Sequence, residues 1–220
     1  MKIHQTIRPS HGLTLLEVLV VIMILVLIGM LIPTSGPKRK APRISCVNNL
    51  KQIGLAYRIW EDDHGGRLPS EVAVTNGGVE ELFSRGSRFS NQVFLNYLTM
   101  SNELSTPKVL YCPADEHRTA ANTFSNLTEL NISYFAGLDA EQTFPQSILS
   151  GDDNLLVNGS PVSSGILVLP TNAPVTWTAE RHIKAGNIGL ADGSAQQVTS
   201  SGVYQAFQQT SFVTNRFIIP

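Results

Sequence analysis

Residues 13–32 read LTLLEVLVVIMILVLIGMLI, and this run decides how the rest of the chain is read. It carries one charge, Glu17, and otherwise only Thr14 and Gly29 interrupt the hydrophobic positions. An α-helix rises 1.5 Å per residue, so about 20 apolar residues cross the roughly 30 Å of bilayer hydrocarbon. The run therefore predicts a single transmembrane helix over 13–32. A secretory signal peptide is the alternative, but its apolar part covers about 7–15 residues and ends in a small-x-small site. This run is longer, and it gives way to Pro33-Thr34-Ser35-Gly36-Pro37.

Composition narrows the remaining classes. The 220 residues carry 16 Lys and Arg against 17 Asp and Glu, a formal net charge of −1. That balance excludes a strongly basic nucleic-acid binder and an acidic tail protein, and no nucleic-acid partner is expected. Charged residues make up 15% of the chain, against roughly 25% in an average soluble domain. The mean hydropathy of +0.04 is high, and the apolar run accounts for much of it. Two cysteines are too few for a disulfide-dense scaffold or a four-cysteine zinc site.

A short polar leader, MKIHQTIRPSHG, precedes the run and carries Lys2 and Arg8. A charge within a spanning helix costs roughly 2.5–3.5 kcal/mol at the helix centre and less near the interface. Such a residue is tolerated at the headgroup level or where a partner neutralises it. Gly12 followed by LTLLEVLVVIMILVLIGMLIP resembles the N-terminus of type IV pilins and of the pseudopilins of type II secretion. The resemblance implies that a prepilin peptidase cuts after Gly12 and methylates the new amine of Leu13. The family usually has Phe there, so Leu13 is a departure. Glu17, fifth in the processed chain, would pair with the freed amine of a neighbouring subunit. A carboxylate and an ammonium in a low dielectric attract strongly, and either alone is costly.

The resemblance places the protein in the bacterial inner membrane as a single-pass chain, N-terminus cytoplasmic and head periplasmic, from which it enters an extracytoplasmic filament. Lys38, Arg39, Lys40 and Arg43 outnumber the leader's charges, and the positive-inside rule read alone gives the opposite orientation. The peptidase motif is given precedence because the charge rule is statistical.

Beyond the run, Pro33 and Pro37 predict a kink. Ile44, Val47, Leu50, Ile53, Tyr57 and Trp60 then recur at spacings of three and four, one face of an amphipathic helix. Asp62-Asp63-His64-Gly65-Gly66 stops it. A short helix is expected over 94–100, and strands over 109–113, 132–135 and 165–169. Residues 187–191 and 194–198 flank Asp192-Gly193, which predicts a hairpin with a type I′ turn. His182, nine residues and then Asp192-Gly193 match the H-X9-DG signature found at the end of many pilin-like proteins. Residues 46–69 and Tyr111-Cys112-Pro113-Ala114-Asp115 resemble the same group. The expected fold class is α+β. A long N-terminal helix, membrane-spanning in its first half and amphipathic in its second, packs on an antiparallel β-sheet head in the pilin-like lollipop arrangement. The expected segments are a leader over 1–12, a transmembrane helix over 13–32, a kinked helical extension over 33–65 and a globular head over 66–220.

The chemistry-bearing residues are few. His182 and Asp192 could form a catalytic or metal pair. Only Glu180 lies near them, however, and the hairpin already accounts for Asp192 and Gly193, so a structural role is preferred. Asp152 and Asp153, in Gly151-Asp152-Asp153-Asn154, are weak calcium candidates. Hard cations take six to eight oxygens, and the alternating EF-hand ligand pattern is absent. No cofactor is otherwise expected. Cys46 and Cys112 could form a disulfide in an oxidising compartment or remain buried thiols. There is no nucleophile elbow, HExxH, P-loop or dinucleotide fingerprint. The chain is therefore expected not to be an enzyme but a structural subunit of a type IV pilus-like filament or a type II secretion pseudopilus. Its expected partners are prepilin peptidase, like or unlike pilin-like subunits, an inner-membrane assembly platform and membrane lipid. The alternative is a membrane-anchored extracytoplasmic binding protein that does not polymerise.

Overall fold

In the computed structural model, residues 14–31, 40–84, 87, 89 and 91–220 are described. The chain divides into two compact units, Met1–Pro37 and Lys38–Pro220.

The described part of the first unit is one helix, α1 (Leu15–Leu31), of 17 residues. At 1.5 Å per residue it is about 25 Å long, short of the roughly 30 Å hydrocarbon layer. Among the described residues no helix is long and apolar enough to cross a membrane. The transmembrane helix over 13–32 and the single-pass inner-membrane placement are thereby overturned. The expected long N-terminal helix fails as well: α1 ends at Leu31, and α2 (Lys40–Asp63) is a separate helix in the second unit. The kink expected at Pro33 and Pro37 lies outside the described residues, as do the leader, Gly12 and Leu13.

The second unit is α+β, as read from the sequence. Helix α2 buries Cys46, Leu50, Ile53, Tyr57 and Trp60, a stripe at helical spacing. Ile44, expected on that face, is 63% exposed. Cys46 takes the inward position instead and turns the start of the stripe. Gly65 and Gly66 follow with φ of +70° and +76°, and the Gly66 amide closes the end on the Glu61 carbonyl at 2.8 Å.

After α2 come two short helices, α3 (Val93–Thr99) and α4 (Ser101–Leu104). Residues 107–110 form a 3₁₀ turn, not the expected strand. Pro107 starts that turn with Thr106 as its cap, so the apolar Val109 and Leu110 point inward from a turn.

The strands are β1 (Tyr134–Gly137), β2 (Ile148–Asp152), β3 (Leu155–Val157), β4 (Ser160–Pro161), β5 (Gly165–Pro170), β6 (Val175–Trp177), β7 (Ala185–Leu190), β8 (Ala195–Thr199) and β9 (Thr214–Ile219), with α5 (Ser200–Gln208) between the last two. Six form one antiparallel sheet in the order β5-β9-β1-β2-β7-β8, and β4-β3-β6 form a second. Successive strand residues face opposite sides of a sheet. Tyr134, Ala136 and Ile218 accordingly join the core under α2, whereas Phe135, Phe217 and Ile219 join a second core with Trp177 and α5. The large sheet is thus covered on both faces.

The β7–β8 hairpin forms, with a different turn. The Gly193 amide donates to the Leu190 carbonyl and the Leu190 amide to the Ser194 carbonyl, both at 2.9 Å. Only Gly193 has positive φ, +82°. This is a three-residue loop with one left-handed residue, not a two-residue type I′ turn.

Candidate functional site

Four segments converge at one end of the large sheet. Cys46 comes from α2, Cys112 from just after the 3₁₀ turn, Asp152 from the end of β2 and His182 from the loop before β7. All four are buried, and their ligand atoms lie within 4.8 Å of one another. Cys46 and Cys112 are joined in a disulfide, with Cα atoms 5.4 Å apart. His182 Nε2 is 3.5 Å from Cys112 Sγ and 3.5 Å from Asp152 Oδ2. Asp152 Oδ2 accepts hydrogen bonds from the amide and the side-chain Nδ2 of Asn187, each 2.8 Å. Asp152 Oδ1 has no hydrogen-bond partner.

The electrostatics here are unusual. Burial, with a smaller contribution from Arg43 and Arg181, lowers the His182 imidazole to about 4. Burial raises the Asp152 carboxyl to about 7 against the pull of Arg181. At neutral pH His182 is therefore an uncharged imidazole, and its contact with Asp152 is not an ion pair.

Next to these residues lies a cluster of two arginines and two aspartates. Arg118 Nη1 contacts Asp115 Oδ2 at 3.2 Å and Asp153 Oδ2 at 2.6 Å. Arg181 Nη2 contacts Asp115 Oδ2 at 2.9 Å and also pairs with Asp153. Burial pushes the Asp115 carboxyl up, but Arg181, the Ser133 hydroxyl and the His117 amide outweigh it and hold it below the usual range. Asp153 ends above that range because there burial outweighs both arginines. The calcium candidates Asp152 and Asp153 thus face different partners, an asparagine and two arginines, rather than a shared ligand cage.

His182 and Asp192 are not a pair. They leave opposite ends of β7, a six-residue strand about 20 Å long at 3.4 Å per residue. Asp192 Oδ1 instead accepts from the Ser194 amide at 2.8 Å, and Arg58 of α2 donates to its carbonyl at 3.1 Å. A Cβ on Gly54 would meet Gly193 Cα at 3.3 Å, so helix and turn touch backbone to backbone. Within H-X9-DG, the Asp-Gly end seats the hairpin on α2 and the His end enters the disulfide cluster.

Glu17 also has local partners. Its Oε2 accepts from the Thr14 amide at 2.8 Å and from the Thr14 hydroxyl at 3.0 Å, while the Glu17 amide donates to Thr14 Oγ1 at 3.3 Å. This is a reciprocal capping box on the first turn of α1. Thr14-x-x-Glu17 spells it in the sequence.

Sequence reasoning also missed Asn187, Arg118, Arg181 and Asp115. Only Asp115 and Arg118, three residues apart, are neighbours in sequence; Asn187 and Arg181 have partners far along the chain. The one local signal is that Arg181, Ile183 and Lys184 all take positive φ, from 54° to 56°. Such dihedrals are uncommon for residues with a Cβ and concentrate where a side chain must be aimed.

No family model matches the chain, and neither the curated proteins nor the solved structures contain a match to it.

Proposed function

We propose that the protein is a non-enzymatic structural subunit that polymerises through α1 into a pilus-like filament or a secretion pseudopilus. One observation carries the reading. Every residue from Leu15 to Ile28 is exposed, with the large apolar side chains between 41% and 85% accessible. A helix that is hydrophobic all round belongs in an interior, and an apolar surface of this extent on one chain calls for a partner. A second copy of the same helix supplies a matching apolar surface, and repetition of that contact extends a filament. The N-terminal motif adds that prepilin peptidase removes residues 1–12 and methylates Leu13, and that an assembly platform and like or unlike subunits take up the product. Glu17 sets register between neighbours by meeting the freed amine of Leu13.

Co-production with a prepilin peptidase tests this. The processed chain should begin at Leu13 and form filaments visible by negative-stain electron microscopy. A chain that keeps its first twelve residues, or one that is processed and stays monomeric, contradicts the reading.

A further inference from the structure

We propose that Cys46, Cys112, Asp152 and His182 form a Zn²⁺ site in the reduced protein, for which the Cys46–Cys112 disulfide is the alternative, metal-free state. The argument starts from distances. Zinc binds tetrahedrally with about 2.3 Å to sulfur, 2.0–2.1 Å to nitrogen and 2.0–2.2 Å to carboxylate oxygen, which sets ligand–ligand edges of about 3.3–3.8 Å. Two edges already have that length: His182 Nε2 lies 3.5 Å from Cys112 Sγ and 3.5 Å from Asp152 Oδ2. The four donors sit within 4.8 Å of one another. Only the two bonded sulfurs must separate to complete a tetrahedron.

The donor set also fits in kind. Two thiolates, one imidazole and one carboxylate are zinc ligands, not those of a hard cation that wants oxygen. The surroundings hold the donors in place. Asn187 fixes the Asp152 carboxylate through its amide and Nδ2, as a zinc-bound carboxylate requires. Asp152 Oδ1, buried and without a partner, has lone pairs to offer. Three anionic ligands and Zn²⁺ sum to one negative charge. Arg43, which donates to the His182 carbonyl, and Arg181, which pulls on Asp152, lie beside it to offset that charge. A 310 Å³ pocket lined by Arg43, Pro113, Arg181 and Ile183 is bordered by the chain neighbours of Cys112 and His182, which are themselves buried.

The chemistry balances with a dithiol as the reductant. The dithiol gives two electrons and two protons to the Cys46–Cys112 bond and becomes a cyclic disulfide. The two freed thiols then lose their protons to solvent as Zn²⁺ binds. In reverse, a small-molecule disulfide takes the two electrons from the thiolates and two protons from solvent, leaves as two thiols, and rebuilds the Cys46–Cys112 bond with release of the metal. The site stands independently of the filament reading, since none of its residues lies in α1.

The test uses the untagged chain, reduced with dithiothreitol, desalted without air and titrated with Zn²⁺ by calorimetry. Co²⁺ serves as a spectroscopic probe. The reduced protein should take up one Zn²⁺ per chain, gain thermal stability on doing so, and show thiolate-to-cobalt charge transfer with the intense visible bands of a tetrahedral site. The disulfide form should bind at least about 100-fold more weakly. His182→Ala and Asp152→Asn should each weaken binding at least tenfold, with circular dichroism checking their fold. The proposal is overturned if the reduced chain takes up no zinc, if it unfolds and zinc does not restore it, or if oxidised and reduced chains bind equally.

Discussion

At the scale of single residues, Glu17 carries two readings that one pair of substitutions separates. Glutamine can still accept the Thr14 hydrogen bonds of the capping box, but it cannot pair with an ammonium. Glu17→Gln should therefore keep the wild-type helix content by circular dichroism while losing filaments, and Glu17→Ala should lose filaments and fray the first turn of α1. Filaments from Glu17→Gln would leave the residue a cap and nothing more. Glu129 offers a second residue-scale prediction. Burial raises its carboxyl to about 7, partly offset by the Phe94 amide that donates to it at 3.1 Å. The folded state then binds the Glu129 proton more tightly than the unfolded chain does. Stability is greatest below the unfolded value and falls as pH rises from about 4.5 toward 7, by about 1–2 kcal/mol. Urea unfolding at pH 4.5 and 7 should show that fall in the wild type and a flatter profile in Glu129→Gln.

At the scale of elements, the hairpin shows both what sequence patterns hold and where they stop. Asp192-Gly193 between residues 187–191 and 194–198 marks β7 and β8, because a turn signal is local. It did not give the turn type, because the contact of Gly193 with α2 decides that. A side chain at Gly193 would face Arg58 Cδ at 3.2 Å from a φ of +82°. Gly193→Ala should therefore cost about 1–3 kcal/mol in urea unfolding, and no loss would mean the hairpin is not held against the helix. The stripe on α2 was legible for the same local reason, apart from its start at Cys46. Strand β2, ILSGD, was not, since Ser150 and Gly151 break any alternation. Nor was β6, whose three residues are too few to show a period. The arginine–aspartate cluster was the least legible feature: Arg181 and Asp153 join the local Asp115–Arg118 pair only because the fold brings distant segments together. The disulfide closes a loop with a sequence separation of 66, which in the chain-entropy account is worth about 4 kcal/mol. A Cys46→Ala, Cys112→Ala chain should unfold at correspondingly lower urea. An unchanged midpoint would show that the bond adds nothing to the core around it.

At the scale of the whole molecule, the high hydropathy that first suggested a membrane span belongs to a helix too short to be one. The second unit buries its own apolar residues in two cores either side of one sheet. Helix α1 has no such cover among the described residues of its unit, and its apolar surface is what the filament reading explains. Contact between copies along α1 is therefore the central claim, and cross-linking measures it most directly. Cys46 and Cys112 are bonded to each other, so Ile24→Cys introduces the one free thiol. Ile24 lies mid-helix, and Val213 of the second unit, 84% exposed, provides the control position. Under mild oxidation the Ile24→Cys chain should become a covalent dimer on a non-reducing gel, while Val213→Cys stays largely monomeric. Equal yields from the two, or no dimer through position 24, would contradict the account.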